Sequence, residues 1–476
     1  MNTAPDTSSR HGLRFKEVTP TDELLTGRAG LSALASYLEQ INILVLLAGT
    51  FAKLRLSRKG LPLEKLFKQL LLFFFDGTRL SLSYFDQLAA DPAYAATIQE
   101  RPENLASSHQ IKRFFRSFSF PYQFIIRRCL QRVFLWRLQV EQPEVIRIDM
   151  DAMVMNNDDA RKREGVKPTY KKVNGFAPLQ VIWNGYVADA VFRSGHRHSN
   201  YSDTVAKAIT HLVTRIRRDY RANVVIILTS DSGFYDEENF ALCEQLGIAY
   251  VGGGRMHADI QAYVQDNHEE NFERYESGQS EWRLLDFAGT RKSWTRWRRT
   301  IYSQHVRAGE QYLLDLPATT KPTVVYTNLG VGNAFDQQLR EAGKEHWLHP
   351  CGIVELAHSR GESELANRGI KDFGGEKLPF RRFNANAAFY YLMLIALNVL
   401  LAFRHDVLRE VPEEILPAGA YPSTIRRVFI DIAGRIVTHS RQRCLRIFRE
   451  MWDRLNLAGV WQRLSEPFMP IVPCRA

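Results

Sequence analysis

The chain predicts an α/β protein with a mixed central sheet, preceded by a mainly helical region. Three observations carry that prediction. Short strand patterns begin near residue 145, the first ending in carboxylates as Val145-Ile146-Arg147-Ile148-Asp149-Met150-Asp151. The run Val224-Val225-Ile226-Ile227-Leu228 is continuously apolar, as a strand covered on both faces has to be. Helical patterns over Ser202 to Tyr220 and Asp236 to Leu246 flank that run, giving three meandering strands and then helix, strand, helix, strand.

The bulk composition narrows the class. A chain of 476 residues, 45% hydrophobic and 24% charged, reads as an ordinary globular protein of two or three domains. Its formal charge of +11 favours polyanionic partners, nucleic acid first and an anionic membrane surface second. Five scattered cysteines form no Cys-x-x-Cys pair, which argues against a zinc ribbon or disulfide scaffold and fits a reducing cytoplasm. Residues 1–28 are polar and are expected to be a flexible start. Ala385 to Phe403 approaches the length of a membrane span. Asn386 and Asn398 interrupt it and it is the only such segment, so a buried core helix is expected and no membrane partner.

The helical region takes its elements in order. Leu31 to Leu54 and Leu61 to Phe75 have helical apolar spacing, the second ending at Asp76-Gly77. Asp91-Pro92 starts a further helix. Ser107-Ser108 caps a basic amphipathic turn whose Lys112, Arg113 and Arg116 suit phosphates, either as the second helix of a helix-turn-helix or as a plain surface helix leading into the basic run Arg127 to Arg132. In the sheet region, Phe176 to Trp183 and Tyr186 to Phe192 read as strands joined at Asn184-Gly185, and Ile248 to Val251 as a short strand.

The candidate chemistry lies at strand ends. Asp151 closes the first strand and Asp231 follows the buried one, where an open α/β sheet presents active-site groups. Carboxylates from separate elements provide the hard oxygen donors that Mg²⁺ or Mn²⁺ takes. Further on, Arg360, Glu364, Asn367 and Lys371 fall within about 60° of one helix face. That face is either solvated or the partner of the two aspartates.

The order Asp151, then Ser230-Asp231-Ser232-Gly233-Phe234, then Arg360, Glu364 and Lys371 resembles the DDE transposases of bacterial insertion sequences. One branch of these carries Tyr, two residues, Arg, three residues, Glu, six residues, Lys; the last three are met here, and Ala357 stands at the Tyr position. Asp91-Pro92, Leu378-Pro379-Phe380, Asn386-Ala387-Ala388 and the basic tail Arg426 to Arg449 extend the resemblance over most of the chain.

The resemblance implies a retroviral-integrase or RNase H-like core. It also implies metal-dependent hydrolysis and strand transfer at terminal inverted repeats, in a bacterial cytoplasm, by a homodimer on DNA. Asp151, Asp231 and Glu364 would be the catalytic carboxylates holding two Mg²⁺ or Mn²⁺ ions, with Asp149 as the alternative first aspartate. Arg360 and Lys371 would contact DNA, as would Trp294, Trp297 and Arg298 in a basic run interleaved with indoles; an edge strand is the other reading of that run. The expected division is a helical end-recognition domain at 29–140, the catalytic domain at 141–251 and 346–410, a mostly β insertion at 252–345, and a basic helical tail at 411–476. The insertion has strand patterns over Trp282 to Ile301 and Gln311 to Asn328. A nuclease of the same fold and a DNA-binding protein without catalysis are the alternatives.

Overall fold

The computed structural model describes residues 17–54, 60–201, 203–277, 280–306, 322–439 and 442–472. The opening segment is two helices, Leu31–Gln40 and Ile43–Thr50, in place of the single one expected. Asn42 takes a left-handed conformation (φ 62°) between them and the pair bends by 65°; asparagine enters that region more readily than most residues. Helix α1 (Leu63–Asp76) ends at Gly77, where φ is 60° and a Cβ would collide with the Arg426 guanidinium. Arg426, the first residue of the basic tail, donates to the carbonyls of Phe74, Phe75, Asp372 and Phe373. Its charge therefore ties two helix C-termini together, a favourable place for a cation.

Helix α2 (Ser108–Arg116) begins with the capping box that Ser107 and Gln110 form. Ile111, Phe114 and Phe115 are buried, while Arg113 and Arg116 face outward. The basic run Arg127 to Arg132 lies inside α3 (Phe120–Glu141). There Arg127 makes a two-pronged ion pair with Asp189 at 2.7 and 2.5 Å, so part of the basic excess is matched within the fold.

Five strands follow: β1 (Val145–Ala152), β2 (Leu179–Trp183), β3 (Tyr186–Val191), β4 (Val225–Ser230) and β5 (Ala249–Gly253). Asn184 and Gly185 join β2 to β3 with φ of 47° and 82°, the mirror-image turn whose twist suits a hairpin. β1 runs antiparallel to β2 and parallel to β4, and β4 runs parallel to β5. Helices α4 (Thr204–Asp219) and α5 (Glu237–Gln245) make the crossovers.

The inserted strands extend the same sheet. β6 (Glu273–Ser277), β7 (Ser280–Gly289), β8 (Arg298–Val306) and β9 (Thr323–Thr327) give a nine-stranded order β6-β7-β8-β9-β5-β4-β1-β2-β3. The pattern over Trp282 to Ile301 thus divides between β7 and β8, and the part of Gln311 to Asn328 before residue 322 lies outside the described residues. A separate three-stranded sheet, Met155–Asn156, Lys167–Pro168 and Asn174–Phe176, is inserted between β1 and β2.

Helices cover both faces. Ile146, Ile148, Met150, Ile226 and Leu228 point into the larger core with α3, α4 and α9 (Phe383–Asp406). Val225, Ile227, Ala249 and Val251 point the other way, against Leu339 of α6 (Ala334–Glu341) and Ile353 and Val354 of α7 (Pro350–His358). α8 (Gly361–Gly374) follows and lies against β1.

The most apolar 18-residue window of α9 is buried throughout. Its two interrupting asparagines serve backbone. Asn386 accepts from the Phe380 amide and donates to its carbonyl (2.8 and 2.7 Å), and Asn398 does the same for Val187 (2.8 and 2.9 Å). Asn398→Leu would leave the Val187 amide and carbonyl buried without partners. A destabilisation of about 2 to 6 kcal/mol is expected at about 1 to 3 kcal/mol per group, read as a lower thermal midpoint. An unchanged midpoint would show that the helix does not need this anchor.

In the tail, Gly434–His439 and Gln442–Ile447 depart from the expected helix. They are paired antiparallel strands, and the first also pairs with Leu24–Thr26. The β-branched Ile436, Val437 and Thr438 favour strand over helix.

Candidate active site

β1 and β4 bring the two aspartates together. Their parallel register pairs Met150 with Ser230, so Asp151 and Asp231 are the next residues at adjacent strand ends. Asp231 leaves the sheet by capping the turn Ser232–Phe234, its Oδ1 accepting from the Gly233 amide at 2.8 Å. No described residue donates to its Oδ2. Gly253 at the end of β5 passes so close that a Cβ there would lie 2.9 Å from the Ser232 amide nitrogen.

Asp151 accepts from the Ala152 amide and from Asn367 of α8, both at 2.7 Å. Burial holds its carboxyl above the usual carboxylate range. The Ala152 amide opposes that rise, the charge of Asp231 adds to it, and Arg360 and Asn367 oppose it. Asp149, two residues back on the same pleat, is only 4% exposed.

With no divalent ion added, Asp151→Asn should raise the thermal midpoint at pH 8. A carboxyl with a raised folded pKa binds its proton more tightly in the fold than in the unfolded chain. Wild-type stability then falls as pH climbs from about 4, the unfolded range, through the folded value, and the full penalty stands above it. The advantage of asparagine should vanish below about pH 4. Equal midpoints at pH 8 would contradict a repelling, half-buried carboxylate.

α8 supplies the rest of the polar face. Asn367 reaches Asp151, and Arg360 is near enough to act on its charge. Glu364 is exposed one turn before Asn367 and makes no hydrogen bond or ion pair with described residues. Lys371 pairs with Glu376. Among the described residues no group of three His, Cys, Asp or Glu side chains is gathered closely enough to hold a metal ion. The Asp151–Asp231 pair does fit one: the carboxylates repel each other, one Asp231 oxygen accepts from no described residue, and Mg²⁺ binds through as few as one or two carboxylates.

The expected DNA contacts divide. Lys112 and Arg116 line a cavity of about 1240 Å³ with Arg163, Lys377, Arg381 and Arg382. Arg113 is exposed and Trp297 is 66% exposed. Arg298 and Trp294 turn inward instead: Arg298 is 4% exposed and pairs with Glu237 and Glu244, while Trp294 packs against Tyr235, Phe240 and Tyr326. Acids on α5 draw the arginine in, which a pattern local to residues 291–299 cannot register.

Tyr170 was not among the expected site residues. Its hydroxyl donates to the Ala152 carbonyl at 3.1 Å, and burial together with Asp151 and Asp231 holds its proton above the usual phenol range. The only sequence signal was its place in the basic stretch Lys167-Pro168-Thr169-Tyr170-Lys171-Lys172.

The family model described as "Transposase DDE domain group 1" matches residues 17–467. The chain belongs to this family. It is therefore a DNA transposase of the DDE class, an enzyme type that cleaves and joins DNA strands. No curated protein sequence matches it. Among solved structures the transposase is similar to a piggyBac transposase in a synaptic complex with hairpin DNA, with 13% identity and a TM-score of 0.41, covering 91% of this chain and 82% of the other.

Proposed function

We propose that this transposase recognises the terminal inverted repeats of a bacterial insertion sequence and moves it by metal-dependent cleavage and strand transfer. The observation that carries the reading is the pair of aspartates at adjacent parallel strand ends under a helix that hydrogen-bonds one of them. The strand order β3-β2-β1-β4-β5, with β2 alone antiparallel to both its neighbours, supports an RNase H-like core.

Asp151 and Asp231 would hold the divalent ions, with Glu364 as the third carboxylate from the same face of α8 as Asn367. Ions bound there supply Lewis-acid stabilisation of phosphoryl oxygens and a more acidic water or 3′-hydroxyl. Asn367 orients Asp151. Arg360 suits a phosphate through its planar fork, while Lys371 offers a point charge once it leaves Glu376. Asp151 serves as the first aspartate in preference to the more deeply buried Asp149. Arg360, Glu364 and Lys371 support the Tyr-Arg-Glu-Lys branch despite Ala357. One copy of the chain at each transposon end makes a homodimer on DNA, working in the cytoplasm.

The test is incubation of the protein with DNA carrying the ends that flank its reading frame. Mg²⁺ or Mn²⁺ should produce 3′-hydroxyl ends and joined products, and EDTA should abolish both. Hydrolysis without joining would favour a nuclease; binding without any metal-dependent cleavage would favour a regulator.

A further inference from the structure

The small sheet between β1 and β2 has features that the carboxylate site does not use. Residues 161–172 contain Arg161, Lys162, Arg163, Lys167, Lys171 and Lys172 against one acid, Glu164. Lys162, Lys167 and Lys172 make no ion pair with described residues. The basic run at 291–299 differs, since Arg291, Arg296, Arg298 and Arg299 each pair with Asp or Glu. Cations clustered in sequence and unmatched by described acids suit an external polyanion.

The tip of this sheet has a fixed shape. The Thr169 amide and hydroxyl both donate to the Val173 carbonyl (2.9 and 2.8 Å), and the Lys172 amide donates back to Thr169 at 2.9 Å. Lys172 itself sits at φ 60°, a conformation that a lysine keeps only where its surroundings impose it. Behind the tip, Gly195 passes so close that a Cβ would lie 2.3 Å from the Gly175 and Lys167 carbonyls.

Tyr170 stands on this tip with 56% of its surface exposed, yet its hydroxyl is tethered to the residue after Asp151. The ring is thus held beside the two carboxylates with much of its area open, and the Lys171 ammonium lies 5.9 Å from its centre. At the base of the same sheet, Arg163 faces the cavity lined by Lys112 and Arg116.

We propose that the tip Lys167 to Val173 is a clamp for the DNA strand being cut: the Tyr170 ring stacks on a base beside the scissile phosphate, and Lys167, Lys171 and Lys172 hold the neighbouring phosphates. The clamp rests on the reading of Asp151 and Asp231 as the cleavage site. Its chemistry is that of a single-strand platform, an aromatic face between cations, which is tolerant of sequence.

The test uses the full chain in EDTA with a 20-nucleotide single-stranded oligonucleotide carrying 2-aminopurine. Wild-type protein should quench the 2-aminopurine. Tyr170→Ala should abolish the quench and weaken binding about 5- to 150-fold, whereas Tyr170→Phe keeps the ring and should retain both. Lys171→Glu with Lys172→Glu should weaken binding and flatten its salt dependence. Wild-type quenching by Tyr170→Ala would overturn the clamp, as would a Tyr170→Phe variant that loses as much as Tyr170→Ala, since the hydroxyl tether would then be the whole effect. End cleavage with Mg²⁺ separates the two readings. Loss of oligonucleotide binding in the tip variants of a protein that never cleaves DNA would keep a strand-binding tip and remove the transposase mechanism. Normal binding and cleavage by the same variants would remove the clamp alone.

Discussion

Asp231→Asn should lower metal-dependent cleavage of transposon ends by about 10³-fold or more, since a metal-held charge is worth several kcal/mol in the transition state and each 1.4 kcal/mol is tenfold. The variant isolates charge from fold. Asparagine keeps an oxygen able to accept from the Gly233 amide, so the turn Ser232–Phe234 retains its cap. DNA binding by gel shift and the thermal midpoint should stay near wild type while cleavage is lost. Cleavage within about tenfold of wild type would mean that Asp231 is a structural cap and no more.

The sheet was legible because its strands carry their own pattern. The run Val224 to Leu228 is apolar on both sides, and the Asn184-Gly185 turn specifies its hairpin. Asp151 and Asp231 were legible as strand-end carboxylates, but their adjacency came from the parallel pairing of β1 with β4, two elements 80 residues apart in sequence. Features fixed by distant partners were not legible. Arg298 reads as a surface cation until Glu237 and Glu244 are seen opposite it, and Arg426 reads as tail until the ends of α1 and α8 close round it. The first helix divides at Asn42, within a run whose apolar spacing continues across it. Tyr170 was not legible either, because a hydroxyl bonding to a main-chain carbonyl leaves no side-chain pattern at the other end.

Asn367→Leu should raise the Mg²⁺ or Mn²⁺ concentration that half-saturates cleavage by about 10- to 100-fold, the usual cost of removing a group that orients a metal-binding side chain. Leucine has the same number of side-chain heavy atoms and the same branch at Cγ, so it suits the helix of α8 while Asp151 loses the donor on Oδ2. An effect transmitted by misfolding would lower the thermal midpoint and DNA affinity as well. An effect on Asp151 alone moves the metal titration and leaves DNA affinity in EDTA unchanged. Lys371→Ala provides the contrast on the same helix: that ammonium already pairs with Glu376, so any gain from a phosphate is reduced by the ion pair it replaces. Its loss should therefore weaken cleavage less than the loss of Asn367 and should not shift the metal titration. A metal titration unmoved by Asn367→Leu, with cleavage intact, would detach α8 from the aspartate pair and leave its polar face as a solvated surface.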